Sequence, residues 1–547
     1  ATISVHQLSK DYLYLKTNGK IDGSHGDAFT MLMTGYLPML LHPQAEEVAV
    51  IGLGTGMTIK AVGAFPVKKV EVLEIEPAMA EAAAFFHDLN GGILEDPRVR
   101  MIPTDGRNYI MATPRLYDLI ISEPSNPWIA GVASLFTKEF YAVAKQKLKP
   151  DGIFAQWIHY YSMSPDDFRM VLRTFAESFP YVTVWNMQES DFLLVGSLRE
   201  QEFDYPLLRK IFSENRTFRE DLITQGLSDV YAVLGLYRMG KKELLAFTGG
   251  ADFNTDDNAL LEFSAPRSLG KSTTDLNRRL MEPFVAEPPW KFNPRWVSPA
   301  QHRYYFSEAF QASGWHDRAL EEIDLALRLE PRNADFHLLR ARILIAQDKT
   351  SEAAKAATQA LQYAPEKVKR VMALAEDLYT HEAKEIYLRI VALGAREIIP
   401  YLGLGSLAVR ERRLDEAERW LRQAEKIQPK HPAVLLALGK FESAKGNYAQ
   451  AVTLLEESQE RGEDSATLFG ELGEAYSHLQ QWEKAASSLE RAAKNQRRNT
   501  RWRLLQANAL AQLGKKKDAE IKYREVLAIN PSSSEAWQGL KSLGSKY

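Results

Sequence analysis

Short apolar runs alternate with amphipathic stretches between residues 47 and 197. The runs have the length and β-branched content of buried strands. We predict strands at 48–52, 70–75, 99–103, 117–122, 153–157, 182–185 and 192–196, with helices between them, for example at 57–64, 77–87 and 137–147. This rhythm predicts a doubly wound α/β domain, in which ligands bind beyond the carboxyl ends of the parallel strands.

The segments on either side of this region are less uniform. Asn18-Gly19 follows an alternating run and predicts a small N-terminal β-hairpin, and residues 27–41 predict a helix. Residues 200–265 are irregular and end in the polar cluster 254–258, followed by a strand-like run at 260–264. The cluster could hold a metal ion, but Asx side chains favour turns and caps. We therefore predict no metal.

Beyond a proline-rich stretch the sequence repeats. Alanines recur at Ala319, Ala353, Ala417, Ala451, Ala485 and Ala519, a spacing of 34 residues apart from one gap of 64. A 34-residue period with small residues where paired helices cross resembles the tetratricopeptide repeat. We predict about seven units, the third (366–395) degenerate, and a capping helix at 535–543.

These patterns predict the following domain bounds. The hairpin and first helix occupy 1–45, the nucleoside-binding domain 46–268, a proline-rich linker 269–299 and the all-α repeat superhelix 300–547.

Composition and charge narrow the classes of function. The 547 residues carry a formal net charge of −3 and contain no basic run, so no nucleic-acid partner is expected. Cysteine is absent, which excludes disulfides, thiolate metal sites and cysteine nucleophiles. The longest apolar run, near 31–41, is too short to span a bilayer. The sequence begins with Ala1 rather than Met, so we expect that an upstream segment has been removed.

The glycine-rich turn after the first strand of the α/β region indicates a nucleotide site. Gly52, Gly54 and Gly56 form G-x-G-x-G between a predicted strand and helix. Glycine permits a sharp turn and a close approach of backbone to ligand. The dinucleotide fingerprint is G-x-G-x-x-G, which Met57 interrupts, and no Walker lysine follows. An S-adenosyl nucleoside is therefore favoured.

Polar side chains follow the next strands. Glu74 could accept both ribose hydroxyls, since a carboxylate offers two acceptor oxygens at one point. Asp105-Gly106 could take the adenine amino group, and Glu123 ends the fourth strand. Each of these acids could instead be a helix cap. Polar residues at successive strand ends favour a ligand site.

These motifs together resemble one enzyme family. Residues from about 10 to 197 are similar to the polyamine aminopropyltransferase (spermidine synthase) family, on the class I S-adenosylmethionine-dependent methyltransferase fold. The matching residues are His42-Pro43, the glycine turn, Glu74-Ile75-Glu76, Asp96 to Val99, Asp105-Gly106, Tyr117-Asp118, Leu135 to Thr137, Phe140-Tyr141 and Lys149 to Gly152. Ser122–Trp128 and Asn254–Phe263 resemble its bacterial branch, often fused to membrane segments or repeats.

The resemblance implies a reaction. Glu74 would bind ribose, Asp105 the adenine, and Glu123 stands where the family has its catalytic aspartate. An amine with a pKa near 10 must lose a proton before it can attack, so a base is needed. The co-substrate would be decarboxylated or intact S-adenosylmethionine, without a metal.

The residues expected to bind the amine substrate differ from the family pattern. Its second loop aspartate is Asn126 here, and the aspartate before the first helix falls at Gly26, next to Asp27. The candidate substrate-binding residues are Asp27, Asn126, Gln156, His159 and Tyr160. A partly buried histidine without catalytic work is the alternative interpretation of His159.

Three functions remain open from the sequence. The first is transfer of an aminopropyl group to an amine with release of methylthioadenosine. The second is methyl transfer or other chemistry of intact S-adenosylmethionine, and the third is a repeat-based interaction scaffold with a vestigial nucleoside domain. Expected partners are a small amine and a protein or peptide on the repeats; a homodimer and a membrane tether through the upstream segment are allowed. The expected location is cytoplasmic, including the soluble part of a membrane-anchored protein.

Overall fold

The computed structural model describes residues 2–9, 12–378, 380–394, 396–496 and 499–544. The chain divides into two compact units, Ala1–Pro331 and Arg332–Tyr547. Residues 379 and 395 of the predicted third repeat, and the start of the predicted hairpin region at residue 1, lie outside the described residues.

The N-terminal hairpin is part of a three-stranded antiparallel sheet of β1 (Ile3–Ser9), β2 (Tyr12–Thr17) and β3 (Lys20–Ser24). The turn between β2 and β3 places Asn18 and Gly19 at φ 51° and 86°, the left-handed region that a tight two-residue hairpin requires. The following helix, α1 (Ala28–Leu41), is buried along its whole length, because it is apolar on every face.

An eight-stranded sheet forms the centre of the first unit. Its strands are β4 (Glu47–Ile51), β5 (Lys69–Glu74), β6 (Val99–Pro103), β7 (Tyr117–Ser122), β8 (Leu148–His159), β9 (Tyr181–Asn186), β10 (Asp191–Ser197) and β11 (Tyr237–Gly240). Their order is β11-β9-β10-β8-β7-β4-β5-β6. The strands from β8 to β6 are parallel, and β10, β9 and β11 are antiparallel additions. The predicted doubly wound α/β fold is confirmed, with the strand order reversing between β4 and β7.

Helices connect these strands and cover the sheet. They are α2 (Met57–Gly63), α3 (Ala78–Ala83), α4 (His87–Asn90), α5 (Gly106–Ala112), α6 (Lys138–Gln146), α7 (Pro165–Ser178), α8 (Tyr205–Glu214), α9 (Arg216–Thr224), α10 (Lys241–Thr248), α11 (Leu260–Ser264), α12 (Thr274–Met281), α13 (Pro299–Ala312) and α14 (His316–Leu329). The helix predicted at 77–87 is two helices, α3 and α4, joined by a 3-10 turn.

The strand predicted at 260–264 is wrong, since these residues form helix α11. Asn254 accepts a hydrogen bond from the Leu261 backbone N–H at 3.1 Å, and the Ala259 N–H donates to the Thr255 carbonyl at 2.9 Å. The polar cluster therefore starts a helical turn. Only Leu261 is buried in this segment, while Leu260 and Phe263 are exposed.

The helix pair α13–α14 packs within the first unit. The buried Arg238 guanidinium lies 4.6 Å and 4.8 Å from the ring centroids of Phe310 and Trp315. Gly235 is equally close to this pair, since a β-carbon there would meet that of Ala309 at 2.6 Å. The domain bounds predicted from the sequence, which group this pair with the other repeats from residue 300, stay a proposal.

The second unit is all helical. Its helices are α15 (Ala334–Ala346), α16 (Thr350–Tyr363), α17 (Val368–Glu376), α18 (Thr380–Ala392), α19 (Ile399–Arg410), α20 (Leu414–Ile427), α21 (Pro432–Lys445), α22 (Tyr448–Glu460), α23 (Ala466–His478), α24 (Trp482–Asn495), α25 (Thr500–Gln512), α26 (Lys516–Ile529) and α27 (Ser534–Ser542).

One small-to-large contact recurs in this unit every 34 residues. A β-carbon on Gly405, Gly439 or Gly473 would lie 2.4–2.6 Å from a side-chain atom of Leu421, Leu455 or Leu489 respectively. Each glycine lets the second helix of a pair approach the first. The alanines that revealed the period are all fully buried, and Ala417, Ala451 and Ala485 lie in these same helix pairs. The predicted helical repeats are confirmed. Among the described residues, no helix is both long and apolar enough to cross a membrane.

Candidate functional site

A cavity of about 990 Å³ opens at the carboxyl ends of β4, β5 and β7. The β2–β3 hairpin, the start of α1 and the turn between β9 and β10 complete its wall. Its lining includes eight acidic residues, which are Asp22, Asp27, Glu74, Glu76, Asp105, Glu123, Glu189 and Asp191. Two basic residues, Lys20 and Arg107, also line it. This excess of carboxylates suits a cationic ligand.

The predicted glycine turn forms part of the cavity wall. Gly52 and Gly54 line it and have φ values of 97° and 52°, and Gly56 has a φ of 86° at the N-cap of α2. A β-carbon on Gly54 would meet no atom within 4 Å. The turn therefore presents open backbone beside the cavity, and all three residues hold a conformation that side chains disfavour.

Glu74 lies at the end of β5, held by the neighbouring backbone. Its Oε2 accepts from the Leu53 N–H at 3.0 Å and its Oε1 from the Glu76 N–H at 2.8 Å. Burial raises the pKa of this carboxyl, and the backbone hydrogen bonds oppose that rise. Each oxygen keeps a second lone pair, so Glu74 can accept from a vicinal diol in a fixed orientation.

Asp105 both caps a helix and lines the cavity, the two roles that its position in the sequence allows. Its carboxylate caps α5 by accepting from the Asn108 N–H at 2.8 Å, and it also lines the cavity. Gly106, the first residue of α5, lines the cavity too. A β-carbon there would lie 2.6 Å from Ile51 Cγ2, so the glycine lets α5 approach β4 closely.

Glu123 directly follows β7 and lines the cavity. Burial raises the pKa of its carboxyl to about 8; the Thr58 hydroxyl opposes this rise and the nearby Asp191 carboxylate adds to it. A group with such a pKa can exchange protons near neutral pH. Glu123 is thus suited to act as a base.

Thr58 satisfies Glu123 in both of its protonation states. The Thr58 Oγ1 lies 2.5 Å from Glu123 Oε2 and 2.9 Å from the Met31 carbonyl oxygen. A hydroxyl has one proton, and a carbonyl can only accept. Thr58 therefore donates to an ionised Glu123; when Glu123 is protonated, it can donate to Thr58, which then donates to Met31.

Of the five residues predicted to bind the amine substrate, one lines the cavity and four do not. Asp27 lines the cavity, and its Oδ2 accepts from the Ser24 hydroxyl at 2.7 Å. Asn126, Gln156, His159 and Tyr160 are buried and are not part of the described cavity lining. Asn126 Nδ2 donates to the Tyr161 hydroxyl at 2.8 Å, and Gln156 Nε2 to the Trp157 carbonyl at 3.1 Å.

The other two residues of that set pack among aromatic rings. His159 stacks on Tyr161 with ring centroids 4.1 Å apart, and burial lowers the pKa of His159 to about 3, so it is neutral. The Tyr160 hydroxyl donates to the Glu189 carbonyl, and its ring contacts Phe168 and Phe192. These contacts favour packing roles, the alternative given above for His159.

Several lining residues escaped the sequence analysis. Trp157 and Tyr161 line the cavity, and the two-residue alternation of β8 could have separated Trp157 from Gln156. Lys20 and Asp22 arrive on the N-terminal hairpin, and Ser125 donates to Asp22 Oδ1 at 2.8 Å. No local sequence motif indicates that this hairpin lies against the cavity.

Asp191 is a further lining residue that the sequence analysis missed. It begins β10, which pairs antiparallel with β8 and places Asp191 opposite His159. A polar turn before a strand gave no sign that the carboxylate would reach the site.

The polar cluster 254–258 ties loops together. Asn254 Nδ2 donates to the carbonyls of Ala133 and Phe136 at 3.2 Å and 3.1 Å, and Asp256 pairs with Arg107 at 2.5 Å.

Elsewhere in the described residues, His42, Asp118 and Asp151 lie close enough to share an ion. However, Asp118 Oδ2 already accepts from Lys149 and from backbone N–H groups.

Two parts of the chain match models of known protein families. Residues 29–187 match the family model described as "Spermine/spermidine synthase domain". Over these residues the chain is similar to the spermine/spermidine synthase domain. Residues 306–367, 408–470 and 471–534 match tetratricopeptide-repeat models, which confirms the repeats that follow the synthase domain.

Curated relatives of the synthase domain carry the name polyamine aminopropyltransferase. One from Bacillus subtilis is 32% identical over 170 residues, which are 31% of this chain and 61% of the relative. One from Thermotoga maritima is 26% identical over 200 residues, 35% of this chain and 68% of the relative. The chain thus spans about three fifths of the length of the Bacillus subtilis relative.

Solved structures similar to this region include a spermidine synthase and a probable spermidine synthase. The enzyme from Thermotoga maritima has 24% identity and a TM-score of 0.34, covering 38% of this chain and 74% of that one. A probable spermidine synthase from Corynebacterium glutamicum has 19% identity and a TM-score of 0.34, covering 46% and 92% respectively.

Proposed function

We propose that the protein transfers an aminopropyl group from decarboxylated S-adenosylmethionine to an amine. The observation that carries this proposal is Glu123, a carboxyl with a pKa of about 8 that lines an acidic cavity beside a glycine-rich turn. Relatives named polyamine aminopropyltransferase match the same domain.

The nucleoside would lie along the ends of β4 to β6. Glu74 would accept from the two ribose hydroxyls with oxygens already oriented by backbone N–H groups. Asp105 would accept from the adenine amino group. Gly52, Gly54, Gly56 and Gly106 would form the backbone beside the nucleoside, and Gly54, with no atom within 4 Å of a built β-carbon, would permit its close approach. These residues would fix the donor so that the reacting carbon meets the amine in line.

The charge of the cavity favours the decarboxylated donor over the intact one. Lys20 Nζ lies 2.6 Å from Asp22 Oδ1, and Arg107 pairs with Asp256. Both cations of the lining are thus already neutralised by protein carboxylates. A donor carboxylate would meet an excess of negative charge, whereas the ammonium of the decarboxylated donor would be attracted.

Glu123 would take the proton that the acceptor must lose. The amine nitrogen then forms a bond to the methylene carbon beside the sulfonium, the carbon–sulfur bond breaks, and its electron pair stays on sulfur. The products are the alkylated amine and methylthioadenosine, with one proton passed through Glu123. Because the sulfonium is a good leaving group, positioning and deprotonation are what the protein must supply.

The test compares two donors with the same amine. Purified protein is incubated with decarboxylated or intact S-adenosylmethionine and 1,4-diaminobutane, and nucleoside products are separated by mass spectrometry. We expect methylthioadenosine from the decarboxylated donor. S-adenosylhomocysteine in its place would show methyl transfer, and no product together with no nucleoside binding by calorimetry would favour an interaction scaffold.

A pair of variants assigns the base. Glu123→Gln should lower kcat by about 10²–10⁴-fold, the range for loss of a general base. Glu81→Gln changes an exposed glutamate of α3 outside the cavity lining and should leave kcat unchanged. Equal activity of Glu123→Gln and wild type would remove Glu123 from the mechanism.

The repeats supply a second part of the proposal. Stacked helix pairs form concave surfaces that bind peptides, and we propose a protein or peptide partner on 332–547. A homodimer, a cytoplasmic location and a membrane tether stay predictions from the resemblance.

A further inference from the structure

The turn between α13 and α14 packs against one wall of the cavity. A β-carbon on Gly314, in this turn, would lie 2.6 Å from Glu189 Cγ and 3.4 Å from Glu189 Cα. Glu189 belongs to the turn between β9 and β10, in which residues 188–190 line the cavity together with Asp191. The two turns are so close that no side chain fits at Gly314 unless Glu189 moves.

The way in which α13 ends does not by itself explain this contact. Gly314, Gly446 and Gly514 each stand five residues before an alanine of the 34-residue period. All three have a φ between 74° and 86°, as is usual for a glycine that follows a helix. Among the described residues, however, a β-carbon on Gly446 or Gly514 would meet no atom within 4 Å. Of these three equivalent glycines, Gly314 alone packs closely against another segment.

Hydrogen bonds join the same two turns by a second route. The guanidinium of Arg238 donates to the Ser313 hydroxyl at 3.0 Å and to Asn186 Oδ1 at 3.4 Å. Asn186 ends β9, and its Nδ2 donates to the Asp191 carbonyl at 3.0 Å. This chain of contacts links the turn between α13 and α14 to the backbone of a residue that lines the cavity.

The helix pair also holds Arg238 in place. This side chain is fully buried, and its guanidinium lies over the rings of Phe310 and Trp315. Aromatic faces attract a cation most strongly where water is excluded. The helix pair therefore fixes the residue through which Asn186 and the end of β9 are held.

The wall of the cavity needs such support because it is crowded with like charge. Asp27 and Glu189 add to the burial that raises the pKa of Asp191. Repulsion between carboxylates favours conformations in which they move apart. The Tyr160 N–H holds the turn by donating to the Ser190 carbonyl at 3.0 Å, and the packing of the helix pair on Glu189 adds a second restraint.

We propose that the helix pair α13–α14 is a positioning element of the active site, which holds the wall formed by residues 188–191 through Gly314 and Arg238. The kinetic consequence of this inference rests on the proposed function, whereas the contact does not depend on the reaction. The tetratricopeptide-repeat match begins within α13 and includes α14. A helix pair of the repeat type thus serves the catalytic domain here, in addition to any partner that the repeats bind.

The first test compares two equivalent glycines. Gly314→Ala and Gly514→Ala both place alanine at a positive φ, but the first alone meets Glu189. With 1,4-diaminobutane as the amine, Gly314→Ala should lower kcat/KM by about 10–100-fold, the cost of a misplaced site. The Kd of the nucleoside donor should stay nearly unchanged, because Glu74 and Asp105 lie at the ends of other strands. Gly514→Ala should keep both wild-type values.

A double variant shows whether the effect passes through Glu189. Glu189→Ala removes Cγ, the atom nearest to the β-carbon built on Gly314, and leaves Cβ at 3.6 Å. Added to Glu189→Ala, the Gly314→Ala change should lower kcat/KM by only about threefold or less. An equal loss in the wild-type and Glu189→Ala backgrounds would overturn the inference, and so would equal effects of Gly314→Ala and Gly514→Ala.

Amide hydrogen exchange tests the contact without using the reaction. The Asp191 N–H donates to the Gln188 carbonyl within the turn, and the Tyr160 N–H to the Ser190 carbonyl. In Gly314→Ala these two amides should exchange at least about tenfold faster than in wild type or Gly514→Ala. Unchanged exchange would overturn the inference, whereas a wild type that transfers nothing would count against the proposed function alone.

A milder variant covers the case in which Gly314→Ala does not fold, which circular dichroism and thermal melting would show. Ser313→Ala removes the hydroxyl that accepts from Arg238 and leaves Gly314 in place. It should speed exchange of the same two amides by about threefold or more. Wild-type exchange in a folded Ser313→Ala variant would overturn the route through Arg238.

Discussion

A β-carbon built on Gly52 would lie 2.4 Å from the backbone oxygen of Glu123. The two residues follow β4 and β7, the neighbouring strands at which the strand order reverses. The Glu123 N–H donates to the Ile51 carbonyl at 2.9 Å, so the backbones are tied at this point. The absence of a side chain at Gly52 thus lets the loop that carries the proposed base lie close to the end of β4.

Replacing Gly52 should displace that loop. Gly52→Ala adds an atom against backbone, which cannot rotate away, at a φ of 97°. We expect a loss of about 1–3 kcal/mol in the free energy of unfolding and at least tenfold in kcat. Urea unfolding and steady-state kinetics measure both.

Gly54→Ala is the matched comparison, since Gly54 also has a positive φ but no atom within 4 Å of a built β-carbon. It should raise the KM for the nucleoside donor more than it lowers kcat. Equal effects of the two substitutions on kcat would show that contact with Glu123 is unimportant.

The pKa of Glu123 predicts a pH dependence for the free enzyme. Its base form dominates above about pH 8, so kcat/KM should rise with pH and level off near that value. Below it the slope should approach tenfold per pH unit. A profile of kcat/KM from pH 6 to 10 measures this, and a profile that falls over pH 6–8 would contradict a basic role for Glu123.

The same raised pKa makes stability depend on pH. An acid whose pKa is higher in the folded state favours folding fully below its unfolded pKa, and this contribution is lost as pH rises through the folded value. Glu123→Gln should therefore be more stable than wild type at pH 9, by about 1–3 kcal/mol, and similar to it near pH 4. Urea unfolding at both pH values tests this, and equal stability at pH 9 would be inconsistent with a buried, ionising Glu123.

Thr58 should tune that pKa. Its hydrogen bond lowers the pKa of Glu123, so Thr58→Val should move the rising limb of the kcat/KM profile to higher pH by about half a unit to one unit. Thr58→Ser, which keeps the hydroxyl, serves as the control. A shift of the same size in both variants would mean that the hydroxyl is not responsible.

Arg238 should stabilise the first unit through its contacts with α13. Its guanidinium donates to the carbonyls of Gly235 and Tyr237 and to the Ser313 hydroxyl, and it lies over Phe310. Arg238→Met would leave these buried acceptors unpaired, and we expect a loss of about 2–4 kcal/mol. Unfolding followed by tryptophan fluorescence measures it.

The exposed Arg216 is a control for that substitution, since it pairs only with Glu220 on α9 among the described residues. Arg216→Met should change stability by less than about 0.5 kcal/mol. A similar loss in both variants would argue against a special role for Arg238.

The fold was predictable where local patterns carry it. The apolar runs predicted where the parallel strands lie, because strands such as β4 and β7 are buried on both faces and are rich in apolar residues. The segment 260–264 failed for the opposite reason. Its helix depends on Asn254, which accepts from Leu261, and no apolar pattern encodes that contact.

The sequence by itself predicted the helical repeats and three residues, Gly52, Glu74 and Asp105, that line the cavity in the structure. Gly52 directly follows β4, Glu74 is the last residue of β5 and Asp105 lies two residues after β6. Parallel strands bring their carboxyl ends to one edge of the sheet. A 34-residue period likewise indicates which helix faces pack together, because each repeat packs on its neighbours.

Only the tertiary structure showed that Lys20, Asp22 and Asp191 line the same cavity. Thr30 and Asp191 are 161 residues apart and meet through a single hydrogen bond, which forms because β10 pairs antiparallel with β8. Lys20 and Asp22 reach the cavity on a separate hairpin. Contacts of this kind depend on long-range packing of several elements, so no spacing along the chain announces them.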